Sequence, residues 1–95
     1  MTRLDEDRAA IDRIDEQLTA LFEERFNVVK DVIAYKIENN LPIFNAGREA
    51  VIIEKNANRI QDDSIRPYFE QMYRQILVLS KDYQKEILDQ HEQNQ

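Results

Sequence analysis

Ninety-five residues with 42% hydrophobic content and no cysteine allow one domain with a small core, and they exclude disulfides as the staple that so short a chain often needs. A net charge of -6 argues against a nucleic-acid partner, whose phosphates require a surplus of Lys and Arg, and a lone histidine, His91, argues against a zinc site. The acidic opening Met1 to Asp7 lacks a secretory pattern and no apolar run approaches membrane-spanning length, so a soluble, cytoplasmic chain without a membrane partner is expected, with oligomerisation as its remaining staple.

One Gly and two Pro punctuate the chain, and Val/Ile alternation at period two is absent, so every element reads as a helix. Pro42 separates the first helix from the second, and Asp62-Asp63-Ser64, followed by Pro67, separates the second from the third. In the first segment Leu4, Ile11, Leu18 and Val32 fall on a seven-residue repeat, with Ile14, Leu21 and Val28 at the companion position, as in a coiled-coil seam. A helix from about Leu4 to Asn39 would be roughly 54 Å long. A compact monomer of this size is only roughly 30 Å across, so one subunit cannot cover it. Asn45 is placed to N-cap a second helix that opens on Gly47-Arg48-Glu49 and runs through Val51, Ile52 and Ile53 to about Ile60. The third helix is expected to start at Ser64 as N-cap, to tolerate Pro67 in its first turn, and to carry Ile65, Phe69, Met72, Tyr73, Ile76, Tyr83 and Ile87 on one stripe. Its polar tail, Asp89 to Gln95, is expected to fray. There is no internal repeat and no linker, so residues 1–95 read as a single all-α domain of one long, one short and one medium helix.

Polar residues interrupt the apolar pattern at a few positions, and these are the candidate functional residues. Arg25 occupies the seam position between Leu18 and Val32, where an aliphatic residue is expected, and a buried guanidinium requires an anion. The ordinary partner is an internal Asp or Glu. Lys36 lies eleven residues further on, which at about 100° per residue returns to within about 20° of the same face, so two cations share it. On the third helix Ser80 interrupts the stripe between Ile76 and Tyr83, and Gln84 follows one turn later. Such a Ser is usually bonded back to the backbone, such a Gln is usually solvated, and Glu49 near a helix start usually serves the helix dipole. Arg8 stands roughly 100° around the helix from Arg25, so it cannot share that site within one subunit, whereas across a dimer of long antiparallel helices it can.

Taken together, Arg8, Arg25, Lys36, the run Asn45-Ala46-Gly47-Arg48-Glu49, and the pair Ser80 and Gln84 resemble the active-site pattern of the all-helical chorismate mutase family. The run Ile11-Asp12-Arg13-Ile14-Asp15-Glu16-Gln17-Leu18 looks like that family's first-helix signature, and Pro42 stands where its first loop turns. No single element is specific, but the ordered combination spans nearly the whole chain. The resemblance implies an intertwined homodimer of three-helix subunits, each site closed by Arg8 from the partner, and conversion of chorismate to prephenate without metal or cofactor. By the same resemblance Arg25 and Arg8 would grip the substrate carboxylates with Ser80 assisting, Lys36 and Gln84 would donate to the ether oxygen, and Glu49 would hold the ring hydroxyl. Asn45 and Arg48 belong to the substrate-binding run, in which Asn45 departs from the commoner Asp while keeping the capping function.

The chemistry agrees with this pattern. A dianion with an apolar ring needs cations in a greasy pocket, for which Val32, Ile52 and Leu77 are the candidate walls. The pericyclic shift moves no proton, so an activated nucleophile is unnecessary; restricting the reactive geometry and placing donors at the ether oxygen are what can help. Two other readings compete. One is an isochorismate pyruvate lyase of the same fold, against which Glu49 speaks because it matches the mutases' hydroxyl-binding position. The other is a non-catalytic helical interaction module, which leaves Ser80 and Gln84 unexplained.

Overall fold

Thr2 and Asp5 begin the first helix by trading hydrogen bonds: the Thr2 Oγ1 accepts from the Asp5 amide and the Asp5 Oδ2 from the Thr2 amide, both at 3.1 Å. From this capping box α1 runs Arg3–Glu38, within one residue of the expected limits at either end. It closes in a turn that the sequence does not announce. Asn39 is the C-cap and Asn40 takes a left-handed φ of 54°, a conformation that Asn tolerates better than most residues. The Leu41 amide then reaches the Lys36 carbonyl at 2.8 Å and the Asn40 amide the Ile37 carbonyl at 3.4 Å, the paired bonds of a Schellman motif. This turn sends Pro42-Ile43 back beside Lys36.

The second helix, α2 (Ala46–Ala57), starts as expected, with the Asn45 Oδ1 accepting from the Arg48 amide at 3.0 Å. It ends earlier than Ile60, because Arg66 interrupts it: the guanidinium donates to the carbonyls of Ala57 and Ile60. Helix α3 (Arg66–Gln93) corrects two expectations. Ser64 is not its N-cap; Ile65 holds that position without a side-chain bond, while Ser64 donates through both its amide and its hydroxyl to Asp62 Oδ1, at 2.9 and 2.6 Å. The tail does not fray at Asp89 but stays helical to Gln93. The computed structural model describes residues 1–94, so Gln95 of that tail lies outside the described residues. Pro67 sits in the first turn of α3, where its missing N–H costs nothing.

Helix α3 is the centre of the arrangement: α1 packs along it on one side and α2 on another, while α1 and α2 do not pack on each other. The pairs Arg25–Ser80 and Lys36–Gln84 advance in the same order, so α1 and α3 run in the same sense and α2 returns between them in the chain. Val29 and Ile33 of α1, Ala57 of α2, and Tyr73 and Leu77 of α3 form the buried apolar core. The Phe26 ring lies 5.3 Å from that of Tyr83 and extends the α1–α3 contact. Among the described residues there is no strand, and no helix is long and apolar enough to cross a membrane.

The shape is elongated, 59 × 27 × 15 Å, with a radius of gyration of 17.2 Å. A compact chain of this length would have about 12 Å. Its N-terminal arm accounts for the difference: from Arg3 to Glu24 every residue except Ala10 is exposed. The heptad residues Leu4, Ile11, Ile14, Leu18 and Leu21 are 50–60% exposed there, so the seam visible in the sequence is uncovered within one chain.

Candidate active site

The turn after α1, the first turn of α2 and the middle of α3 enclose a cleft of about 640 Å³ beside the C-terminal half of α1. That volume is within the range of small-molecule sites. Its apolar walls include Val32, Ile52 and Leu77, the three residues expected to form them, together with Val29.

Arg25 enters from α1, and its Nη1 donates to the Ser80 hydroxyl at 2.7 Å. Ser80 is buried and donates its hydroxyl hydrogen bond to the Ile76 carbonyl at 2.8 Å, so its oxygen is turned toward Arg25 as an acceptor. The bond back to the backbone and the bond to the arginine therefore coexist. Tyr73 supports the guanidinium, whose carbon lies 5.8 Å from the ring centroid. The ordinary partner of such an arginine is absent: among the described residues the ion pairs are Arg66–Asp63 and Lys81–Glu49, and neither Arg25 nor Lys36 pairs with a carboxylate. A Ser hydroxyl fixes the direction of the guanidinium without cancelling its charge.

Lys36 is held likewise by neutral acceptors. Its Nζ donates to the Ile43 carbonyl at 2.8 Å and to the Gln84 Oε1 at 3.1 Å. Because an ammonium only donates, this contact orients the Gln84 amide, whose Nε2 donates to the Ser80 carbonyl at 3.2 Å. The ammonium has three N–H groups and the amide two, so each keeps one donor beyond these bonds. Partial burial holds the Lys36 pKa below the usual 10.5, because desolvation penalises the cation; the negative charge of Glu49 works in the opposite direction.

Glu49, on the first turn of α2, faces Lys81 of α3, with 3.2 Å between Oε1 and Nζ. Lys81 also stands over the Phe44 ring, 4.6 Å from its centroid. Neither residue stood out in the sequence, because a lysine at the edge of an apolar stripe reads as solvated and Phe44 lies in the connecting turn. The Ile43 carbonyl carries no sequence signal, because every residue has one. Arg48 borders the cleft with an exposed side chain, and Asn45 caps the turn that carries it. Arg8 is not brought to the cleft; it is exposed on the N-terminal arm, seventeen residues before Arg25 and so roughly 25 Å away along the helix axis. Among the described residues no cluster of His, Cys, Asp and Glu is suited to a metal ion.

Four cations, Arg25, Lys36, Arg48 and Lys81, thus line the cleft against one carboxylate, Glu49, between apolar walls. This defines an all-helical protein whose three helices assemble an anion-receptive pocket. The chain belongs to the chorismate mutase type II family, whose model matches residues 7–85. No curated protein and no solved structure matches the chain.

Proposed function

We propose that this chain is a chorismate mutase, rearranging chorismate to prephenate as an intertwined homodimer without metal or cofactor. The observation that carries the reading is the pair of half-buried cations, Arg25 and Lys36, each held by neutral acceptors of α3 and neither paired with a carboxylate among the described residues. A bundle knit by internal ion pairs would place an Asp or Glu opposite them. Here the charge remains available to a dianionic ligand, and family membership supports chorismate as that ligand.

In this reading Arg25 binds one substrate carboxylate, oriented by Ser80, and Arg8 of the partner subunit binds the other. The apolar walls Val32, Ile52 and Leu77 press the enolpyruvyl arm over the ring, in the geometry from which the carbon–carbon bond forms as the carbon–oxygen bond breaks. Negative charge grows on the ether oxygen in that transition state. The remaining N–H groups of Lys36 and Gln84 stabilise it there, and one such donor is typically worth about 10²–10³ in rate. Glu49 accepts from the ring hydroxyl, while Arg48 and the turn capped by Asn45 close the pocket on that side. No proton changes hands, so none of these groups acts as an acid or a base.

The test is to assay chorismate and isochorismate side by side with EDTA present, and to titrate a dicarboxylate transition-state analogue by calorimetry. Prephenate formation together with tight binding of the analogue is the expected result. Pyruvate release from isochorismate alone would make the chain a lyase of the same fold, and absence of both activity and binding would make it a non-catalytic helical module.

A further inference from the structure

Lys81 is the one cation of the cleft to which the reading above gives no task. It extends from α3 between Ser80 and Gln84, the two residues that orient Arg25 and Lys36, and crosses to the first turn of α2. There it bonds one oxygen of Glu49, and its ammonium is stacked over Phe44 of the preceding turn. The side chains of Lys81 and Glu49 are 30% and 23% exposed, so the pair stands at the cleft wall, partly screened from water. The second oxygen of Glu49 makes no hydrogen bond among the described residues, and it is not a buried atom lacking a partner, so it remains accessible.

A glutamate on the first turn of a short helix is free to rotate about its side-chain bonds. Among the described residues nothing else on α1 or α3 donates to it. Lys81 removes that freedom from the outside: it takes Oε1 and leaves Oε2 as an acceptor. The geometry points to Lys81 as a positioning residue that aims the free oxygen of Glu49 at the hydroxyl of the substrate ring, and thereby helps the site discriminate for a hydroxyl at that ring position. This rests on the mutase reading. The contact is charged but not deeply buried, so its contribution should fall short of that of a fully enclosed pair.

The test compares chorismate with the same molecule lacking its ring hydroxyl, using wild type, Lys81→Met and Lys81→Arg. Methionine keeps the unbranched stem against Phe44 and removes only the charge and the donors. Lys81→Met is expected to lose about tenfold in kcat/KM on chorismate yet stay within about twofold of wild type on the hydroxyl-free substrate, and Lys81→Arg to recover at least about a third of the lost activity. Because both substrates are measured on one preparation, partial unfolding cancels in the ratio. A purely structural tie between α2 and α3 would lower both substrates equally, and that result, or no loss on either, overturns the proposal while leaving the mutase reading intact. A wild-type protein inert toward chorismate overturns the reading, and this inference with it.

Discussion

Lys36 shows how a single side chain carries both a structural and a chemical demand. Its ammonium must stay protonated to donate, yet burial lowers its pKa below 10.5 and only the charge of Glu49 opposes that shift. Activity should therefore fall as pH rises through a Lys36 pKa lower than that of a free lysine, giving kcat/KM an alkaline limb. Replacing Glu49 by Gln removes the opposing charge, so the limb should move to still lower pH; a limb that stays put in Glu49→Gln would sever the link between the two residues. Lys36→Ala and Arg25→Ala are each expected to reduce kcat/KM by at least about a hundredfold, read by steady-state loss of chorismate. Near-normal turnover in either variant would remove that residue from the mechanism. Gln84→Glu tests the neighbouring donor. An ionised carboxylate cannot donate to an ether oxygen whereas its acid form can, so activity should survive only toward acidic pH, and a flat profile would exclude Gln84.

At the scale of the helix, the first turn of α2 depends on Asn45. Its side chain satisfies the Arg48 amide, and Asn45→Ala should destabilise the fold by about 0.5–2 kcal/mol, whereas Asn45→Asp, an equally good cap, should leave the thermal midpoint nearly unchanged. Equal midpoints for Ala and Asn would mean that packing on α3, not the cap, sets this helix. The extent of α1 was legible to within a residue from its apolar repeat and the following Pro42, and the start of α2 from Asn45 as its cap, whereas the capping box at Thr2 and the turn at Asn39-Asn40 were not. The end of α2 was not, because the Arg66 guanidinium donates to the carbonyls of Ala57 and Ile60 and no periodicity encodes a side chain that reaches back to an earlier helix; nor was the start of α3, because Ser64 bonds Asp62 and leaves the cap position to Ile65. The same division holds in the cleft. Arg25, Lys36, Ser80 and Gln84 were legible as polar breaks on apolar faces, and the structure brings all four together. What the sequence hid was the identity of their partners: a hydroxyl and an amide in place of a carboxylate, a backbone carbonyl at Ile43, and Lys81 bridging to Glu49. These depend on how three helices meet, which one-dimensional spacing does not specify.

At the scale of the whole molecule, a chain 59 Å long and 15 Å thin leaves its heptad seam in water, a large apolar surface for so small a protein. A second copy laid antiparallel along α1 would cover that seam and carry Arg8 toward the other chain's cleft. Light scattering should then find a dimer at micromolar concentration, and the unfolding midpoint should rise with protein concentration because folding and association are linked. A stable folded monomer would count against this arrangement. Exchange of subunits makes the sharper test. Arg8→Ala and Lys36→Ala, each nearly inactive, are mixed in equal amounts, partly denatured and refolded. In a mixed dimer, the site built on the Arg8→Ala chain keeps its own Lys36 and receives an intact Arg8 from its neighbour, while the other site carries both lesions. With random pairing about half the dimers are mixed and one site in two is whole, so about a quarter of wild-type activity should return. If Arg8 served its own subunit, every site would retain a lesion and no activity would appear. Exchange verified by a mass-tagged subunit, without recovery, would therefore place Arg8 outside the partner's site even if the chain proves to be a mutase.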